Sequence, residues 1–305
     1  MNRRLWLGAG VASLAFAARA ARAQELTPLD VSYAGSMGSM MEGPIKAAAA
    51  RTLHIEMHGR AQGSDALSKL IVGGSIAADV FIPVTPGPMM TVLKAGKASL
   101  ATPIARTEMV IAYSPKSKYA GQFADAAAGK PGAMPWWQIL QQPDLRFGRT
   151  DPVTDPQGRN IIFTLQLAEA YYRQPGLAQK ILGPTVNPAQ IFSEPTVEAR
   201  LQSGELDASS AYKIQPGPFN LPYVRLPSEI NLGSDALRDR YAQESLEIGG
   251  VIRHPEPLVY YAAVLGAAAQ KERARAFVDW LTGSGQSIFR QYFYDPPAGA
   301  SPLRG

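Results

Sequence analysis

The sequence predicts an α/β protein made of two doubly wound units joined by two crossings of the chain. Three observations carry this. Apolar runs of strand length alternate with helix-period segments from Leu29 to Tyr113. A second series of short strands and helices runs from Arg146 to Leu226. A long apolar run, Pro257 to Gly266, then precedes two helices, so the C-terminus returns to the first unit.

Leu29 to Tyr33 is a strand, with Val31 and Tyr33 alternating against Asp30 and Ser32. Ser36 is placed to cap a helix from Met37 to Ala50, and a hydroxyl beside free first-turn N–H groups is a ready anion site. Thr52 to His58 is the second strand, with His54, Glu56 and His58 on one side. Two His and a Glu at strand spacing are also a pattern zinc uses. Alternation on a half-exposed strand accounts for it without a metal. Ser64 repeats the Ser36 arrangement before a helix from Asp65 to Ile71. Ala78 to Val84 is continuously apolar, as a buried parallel strand should be. A helix from Met89 to Ala95 and a strand from Glu108 to Tyr113 complete a β-α-β-α-β-α-β unit.

Residues 115–135 are rich in Lys, Gly, Ala and Pro, and a short helix follows at Trp136 to Gln142. A strand ending at Gly148 then opens the stretch from Arg149 to Tyr172. Asp155 is a natural N-cap with Pro156 at the first helical position, and Ile161, Ile162, Leu165, Ala168 and Tyr172 share one face of the helix. Arg149, Thr150 and Asp151 therefore occupy a strand-to-helix loop, where α/β proteins hold ligands. Tyr171, Tyr172 and the tryptophans 136, 137 and 280 are read as packing residues. Further elements are a helix over Gly176 to Leu182, a strand over Gln190 to Ser193, a helix over Pro195 to Gln202 entered from Glu194, strands over Leu206 to Tyr212 and Tyr223 to Leu226, and helices over Lys271 to Thr282 and Gln286 to Tyr292. The expected division is a first lobe of residues 24–110 and 255–305 and a second lobe of residues 111–254.

Residues 1–23 read as a signal peptide: a basic Arg3–Arg4, an apolar Leu5 to Ala18, and the small-residue cleavage pattern Ala21–Arg22–Ala23. The paired arginines also fit the twin-arginine route as an alternative to the general secretory one. Without Arg3, Arg4, Arg19 and Arg22, the 30 basic residues fall to 26 against 25 acidic ones. A net charge of +1 gives no basis for binding nucleic acid or a membrane surface. There are no cysteines, which excludes disulfides and thiol chemistry. An enzyme reading has little to use. Ser210 to Lys213 fits S-x-x-K, but it lies in a strand and lacks the partner motifs S-D-N and K-T-G. There is no G-x-S-x-G, H-E-x-x-H or P-loop, and the three His stand at 54, 58 and 254.

Taken together, YAGSM at 33–37, QGSDA at 62–66, RTDPVTDPQGRN from 149, EPTVEARLQSGELDASSAYK at 194–213 and LPSEINL at 226–232 resemble the periplasmic molybdate/tungstate-binding proteins of ABC importers, in particular their tungstate-type branch. The resemblance implies a two-lobed type II periplasmic binding protein. It would act as a monomer that takes its oxyanion in the cleft between lobes and delivers it to an inner-membrane permease, with no cofactor beyond the transported ion and no catalysis. It implies Ser36 and Ser64 as hydroxyl donors, Tyr212 as a contact to the oxyanion, and Asp151 and Glu194 as carboxylate ligands to the Mo or W centre. Glu198 is the rival to Glu194. Thr150 and Gln157 depart from the family's usual Ser and Cys. Another anion on the same fold (sulfate, phosphate or a small organic anion) is the alternative function.

Overall fold

Two separate sheets organise the chain, one of six strands and one of four. This computed structural model describes residues 26–297 and 299–305, without the side chains of Glu194 and Pro195, so the expected signal peptide lies outside the described residues. The larger sheet has the order β12-β4-β11-β3-β1-β2. It contains β1 (Thr27–Ala34), β2 (Ile55–Gln62), β3 (Val80–Ile82), β4 (Leu100–Arg106), β11 (Val259–Val264) and β12 (Leu303–Arg304). The smaller sheet has the order β6-β7-β5-β8. It contains β5 (Met109–Tyr113), β6 (Phe147–Gly148), β7 (Ala208–Tyr212) and β8 (Tyr223–Arg225). A hairpin of β9 (Leu246–Ile248) and β10 (Val251–Arg253) stands apart from both.

Period-2 alternation fills both sides of the six-stranded sheet. Val80 and Ile82 of β3 and Tyr260 and Ala262 of β11 join the larger apolar core. Their neighbours Phe81, Val259, Tyr261 and Ala263 face the opposite way and join a second cluster with Leu67, Met89 and Leu93. Helices cover both faces, which is why β3 and β11 read as unbroken apolar runs.

The α/β class with two sheet-centred units is as expected. The sheets are mixed, however, which corrects the parallel pairing expected of the first unit. Only β1, β2 and β3 run parallel in the larger sheet, while β11 is antiparallel to both β3 and β4. The strand expected to complete the first unit, β5, belongs instead to the smaller sheet and is antiparallel to β7 and β8. A short apolar run carries no signal for its partner or its direction, so pattern alone could not place it. Strand β4 was not anticipated, because Pro103 interrupts it. The register with β11 shifts between Tyr260 and Tyr261, opposite Pro103, and this bulge accommodates the missing N–H.

Other local expectations need adjustment. The first helix starts earlier and is irregular: a 3₁₀ turn over Gly35–Met37, one α turn, a π segment over Met41–Ile45 that contains Pro44, and then an α-helix over Lys46–Leu53. His54 is its left-handed C-cap, so the second strand begins only at Ile55. His54 therefore does not share a strand face with Glu56 and His58. Both of those are exposed, and the His58 ring lies 3.4 Å from Asp30 and 3.8 Å from Glu56. Among the described residues no group of three His, Asp or Glu is arranged to hold a metal. Gln190 to Ser193 makes only a single bridge, Ile191 with Arg149. Tyr171 is 40% exposed, not a core residue, and stands edge-on against the half-buried Tyr172.

The chain passes between the sheets at residues 106–109 and returns by residues 226–258. The two crossings are bonded to each other. Thr107 N donates to Leu258 O at 3.0 Å, Met109 N to Asn231 O at 2.8 Å, and Leu258 N to Leu232 O at 2.8 Å. Buried Glu108 accepts from Asn231 Nδ2 at 3.1 Å and from Arg225 Nε at 2.8 Å. Leu232 holds a positive φ of 60° here, a conformation a branched side chain adopts only when its surroundings impose it. The LPSEINL motif is thus a fixture of the crossing. No helix among the described residues is long and apolar enough to span a membrane.

Candidate functional site

Four helical starts converge on one cleft of about 460 Å³ between the two sheets. From the larger sheet come the end of β1, with Gly35 and Ser36, and the end of β2, with Gly63 and Ser64. From the smaller sheet come the loop after β6, with Thr150, Asp151 and Thr154 to Gln157, and the segment Ile191 to Ser193 that enters the helix Glu194–Ser203. Tyr212, at the end of β7, closes the group. The volume lies within the small-molecule range. N-terminal turns leave backbone N–H groups unpaired, so a site built from four of them favours negative charge. No Lys or Arg lines the cleft among the described residues.

Neither predicted serine is a helix cap. The cap positions are Ala34 and Gly63, and each serine lies just inside its helical turn. Ser64 is buried and its Oγ accepts from Val84 N at 3.2 Å, which leaves its own proton available to an acceptor in the cleft. Ser36 Oγ lies 3.0 Å from the Tyr260 hydroxyl.

The opposite wall is acidic. Asp151 is half-buried and its Oδ1 accepts from Val153 N at 2.8 Å, an Asx turn that sets the loop. Asp155 caps the helix Pro156–Tyr172 as expected, its Oδ1 accepting from Gln157 N at 2.9 Å. It also lines the cleft, a second carboxylate that the sequence reading treated only as a cap. Burial raises its pKa, against the lowering effect of that backbone N–H. The Thr150 hydroxyl beside it is buried and makes no hydrogen bond of ordinary geometry among the described residues. Gly158 lets this loop lie against the helix: a Cβ there would come 2.3 Å from Thr150 O and 2.7 Å from Pro152 N.

Tyr212 is held on two sides. Asn160 Nδ2 donates to its hydroxyl at 3.0 Å, and its backbone N donates to Gln215 Oε1 at 2.6 Å. Gln157 Nε2 donates to the same Gln215 Oε1 at 2.8 Å. Sequence reading gave Gln157 only as a departure from the family pattern and Asn160 no role, because a supporting hydrogen bond to a residue 58 or 52 positions away leaves no local signal. The helix is in fact buried nearly all round over its first three turns, Arg159, Asn160 and Thr164 included.

The structure brings Ser36, Ser64, Asp151 and Tyr212 together in the cleft. The Glu194 side chain lies outside the described residues, but its backbone opens a helix directly after the cleft residue Ser193. The rival Glu198 is buried and is not among the cleft-lining residues. Burial raises its pKa to about 7, and its Oε2 has no hydrogen-bond partner among the described residues. The S-x-x-K reading does not assemble: Ser210 is buried within β7, and Lys213 is ion-paired with Asp295.

Residues 29–295 match the family of bacterial extracellular solute-binding proteins. The chain belongs to that family. A molybdate/tungstate-binding protein, WtpA of Pyrococcus abyssi, is 33% identical over 218 residues, which cover 63% of this chain and 62% of that protein, so the chain spans about three-fifths of its length. Among solved structures, the substrate-binding domain of a molybdenum ABC transporter from Clostridium difficile aligns with a TM-score of 0.57 at 18% identity, covering 88% of this chain and 99% of that one. The sulfate-binding protein SubI of Mycobacterium tuberculosis aligns with a TM-score of 0.56 at 13% identity, covering 90% and 88%. At those identities the solved structures establish the two-lobed fold and leave the ligand to the residues of the cleft.

Proposed function

We propose that this solute-binding protein captures molybdate or tungstate in the inter-sheet cleft and delivers it to an ABC permease, acting outside the cytoplasmic membrane without catalysing a reaction. The observation that carries the reading is a cleft of helix N-termini and hydroxyls, with no basic side chain among its described lining, in which Asp151 stands beside Asp155, itself engaged as a helix cap. Helix ends and hydroxyls suit an oxyanion that is already fully ionised. A carboxylate beside that dianion is repelled unless it binds the central atom. Molybdenum and tungsten can take oxygen ligands beyond their four, whereas sulfur and phosphorus in sulfate and phosphate do not. Asp151, with Glu194 from the neighbouring helix start, then admits the first pair of ions and rejects the second pair. Ser36, Ser64 and Tyr212 serve as the donors to the oxyanion. Residues 1–23 direct export, and the two lobes, one on the larger sheet and one on the smaller, close by motion at the crossings near residues 106–109 and 226–258, which moves the expected boundary at 110 to before β5.

The test is a set of thermal melts with molybdate, tungstate, sulfate and phosphate, for the wild type and Asp151→Ala. Saturation at a hundred times Kd adds about 2.7 kcal/mol. Stabilisation by molybdate or tungstate alone is expected, with affinity falling about a hundredfold in Asp151→Ala, about 3 kcal/mol. Stabilisation by sulfate or phosphate that is equal in both proteins assigns the cleft to another anion instead.

A further inference from the structure

Beside the cleft, the two lobes touch through charge. Asp65 follows Ser64 on the helix Ser64–Val72, which packs against β1 of the larger sheet. Arg159 lies on the helix Pro156–Tyr172, which packs against β5 and β7 of the smaller sheet. Arg159 Nη2 donates to Asp65 Oδ2 at 2.8 Å, with the arginine side chain 9% and the aspartate side chain 34% exposed. Arg253 Nη1 reaches the same oxygen at 3.4 Å. The other arm of Arg159 stays in its own lobe, donating to Pro152 O at 3.3 Å. Desolvation lowers the Arg159 pKa, and the Asp65 charge opposes this most strongly. A cavity of about 60 Å³ lies between these groups and Ser64.

We propose that Asp65 and Arg159 form a clasp that holds the cleft closed, making Arg159 a positioning residue for solute retention. The role in retention rests on the reading of the cleft as a solute site; the clasp itself does not. If the lobes separate, Arg159 keeps Pro152 but loses Asp65, so this pair exists only in the closed form. The Arg159 end of the pair is shielded from water, so the attraction is screened less than on the surface, and separation of the lobes forfeits it. The closed form is therefore favoured before any solute arrives, and the solute adds to an equilibrium already biased its way. Position gives the clasp its effect on binding. Asp65 is adjacent to the cleft hydroxyl of Ser64, and Arg159 is adjacent to Asn160, which holds the Tyr212 hydroxyl.

The cysteine-free sequence permits a direct test, because spin labels can be placed on Lys94→Cys and Ala199→Cys, exposed positions on helices of opposite lobes. Inter-label distances are measured by pulsed electron resonance in the solute-free protein, then with Arg159→Met or Asp65→Asn added. The Asp65→Asn change lies at a half-exposed position and tests the clasp even if Arg159→Met fails to fold. Expected is a short distance in the parent and a shift to longer distances in both variants. Molybdate release should accelerate about tenfold or more, with the association rate changing far less. Unchanged distances in the variants overturn the proposal, even where the melting temperature falls. Distances that respond in a protein that binds none of the four oxyanions support the clasp and remove the solute reading, so the two failures are distinguishable.

Discussion

The two walls of the cleft are built on different principles. The wall from the larger sheet, Ala34 to Ser36 with Gly63, Ser64 and Val84, carries no charge and offers hydroxyls and helix starts. The wall from the smaller sheet carries Asp151 and Asp155 and is braced internally through Gln157, Gln215, Asn160 and Tyr212. On the proposed reading, neutral donors fit any tetrahedral anion of suitable size, so the first wall would supply affinity common to many anions. Carboxylates fit few anions, so the second wall would supply the choice among them. A wall that must hold acid next to an anion also needs the tighter scaffold, because a small displacement turns a ligand into a repulsive charge.

The comparison breaks most visibly if the braced wall is forced apart. Gly158→Ala should lower stability by about 3 kcal/mol and abolish selective binding, since its Cβ meets the backbone that carries Asp151. Urea denaturation checks the first effect and calorimetric titration the second.

Outside the cleft lining, in the helix Glu194–Ser203, Glu198 is a pH-dependent weakness. Its pKa rises from the usual 4.5 to about 7 in the folded protein, because burial disfavours the charge. The folded state therefore keeps the proton longer than the unfolded one. The contribution is fully present below pH 4.5 and is lost as pH rises through about 7. Glu198→Gln, which cannot ionise, should gain about 3 kcal/mol over the wild type on moving from pH 4.5 to pH 8. Melting curves at the two pH values report this, and equal differences at both would place the ionised carboxylate in contact with water.

On the neutral wall, Ser64→Ala should weaken every bound oxyanion by about tenfold without changing their order of preference. A change in selectivity would assign choice to the wrong wall. The smallest effect is expected for Asp155→Asn. Asparagine caps as well as aspartate, so stability should move by no more than about 0.5 kcal/mol. Removal of a negative charge that is not a ligand should leave affinity equal or stronger. A loss as large as that of Asp151→Ala would make Asp155 the second ligand.

Sequence alone determined much of this protein. Period and turn chemistry located β1, β3, β5, β11 and the helix Pro156–Tyr172 with its Asp155 cap, because those signals are local. Resemblance to a known family grouped Ser36, Ser64, Asp151 and Tyr212, and all four line the cleft. Tertiary structure decided what depends on distant partners. It assigned β5 to the second sheet and set Pro103 beside a bulge in β4, where Ile104 is the extra residue opposite β11. It buried Arg159, Asn160 and Thr164 of the helix Pro156–Tyr172 along with its apolar face, where the sequence pattern identified only the apolar one. It also made Asp155 a cleft residue and joined Asp65 to Arg159 across 94 positions of sequence. A strand's period says which faces are apolar, and a cap's chemistry says where a helix begins. Neither says which strand lies alongside, or which charge comes to rest within reach of another, because those follow from the packing of the whole chain.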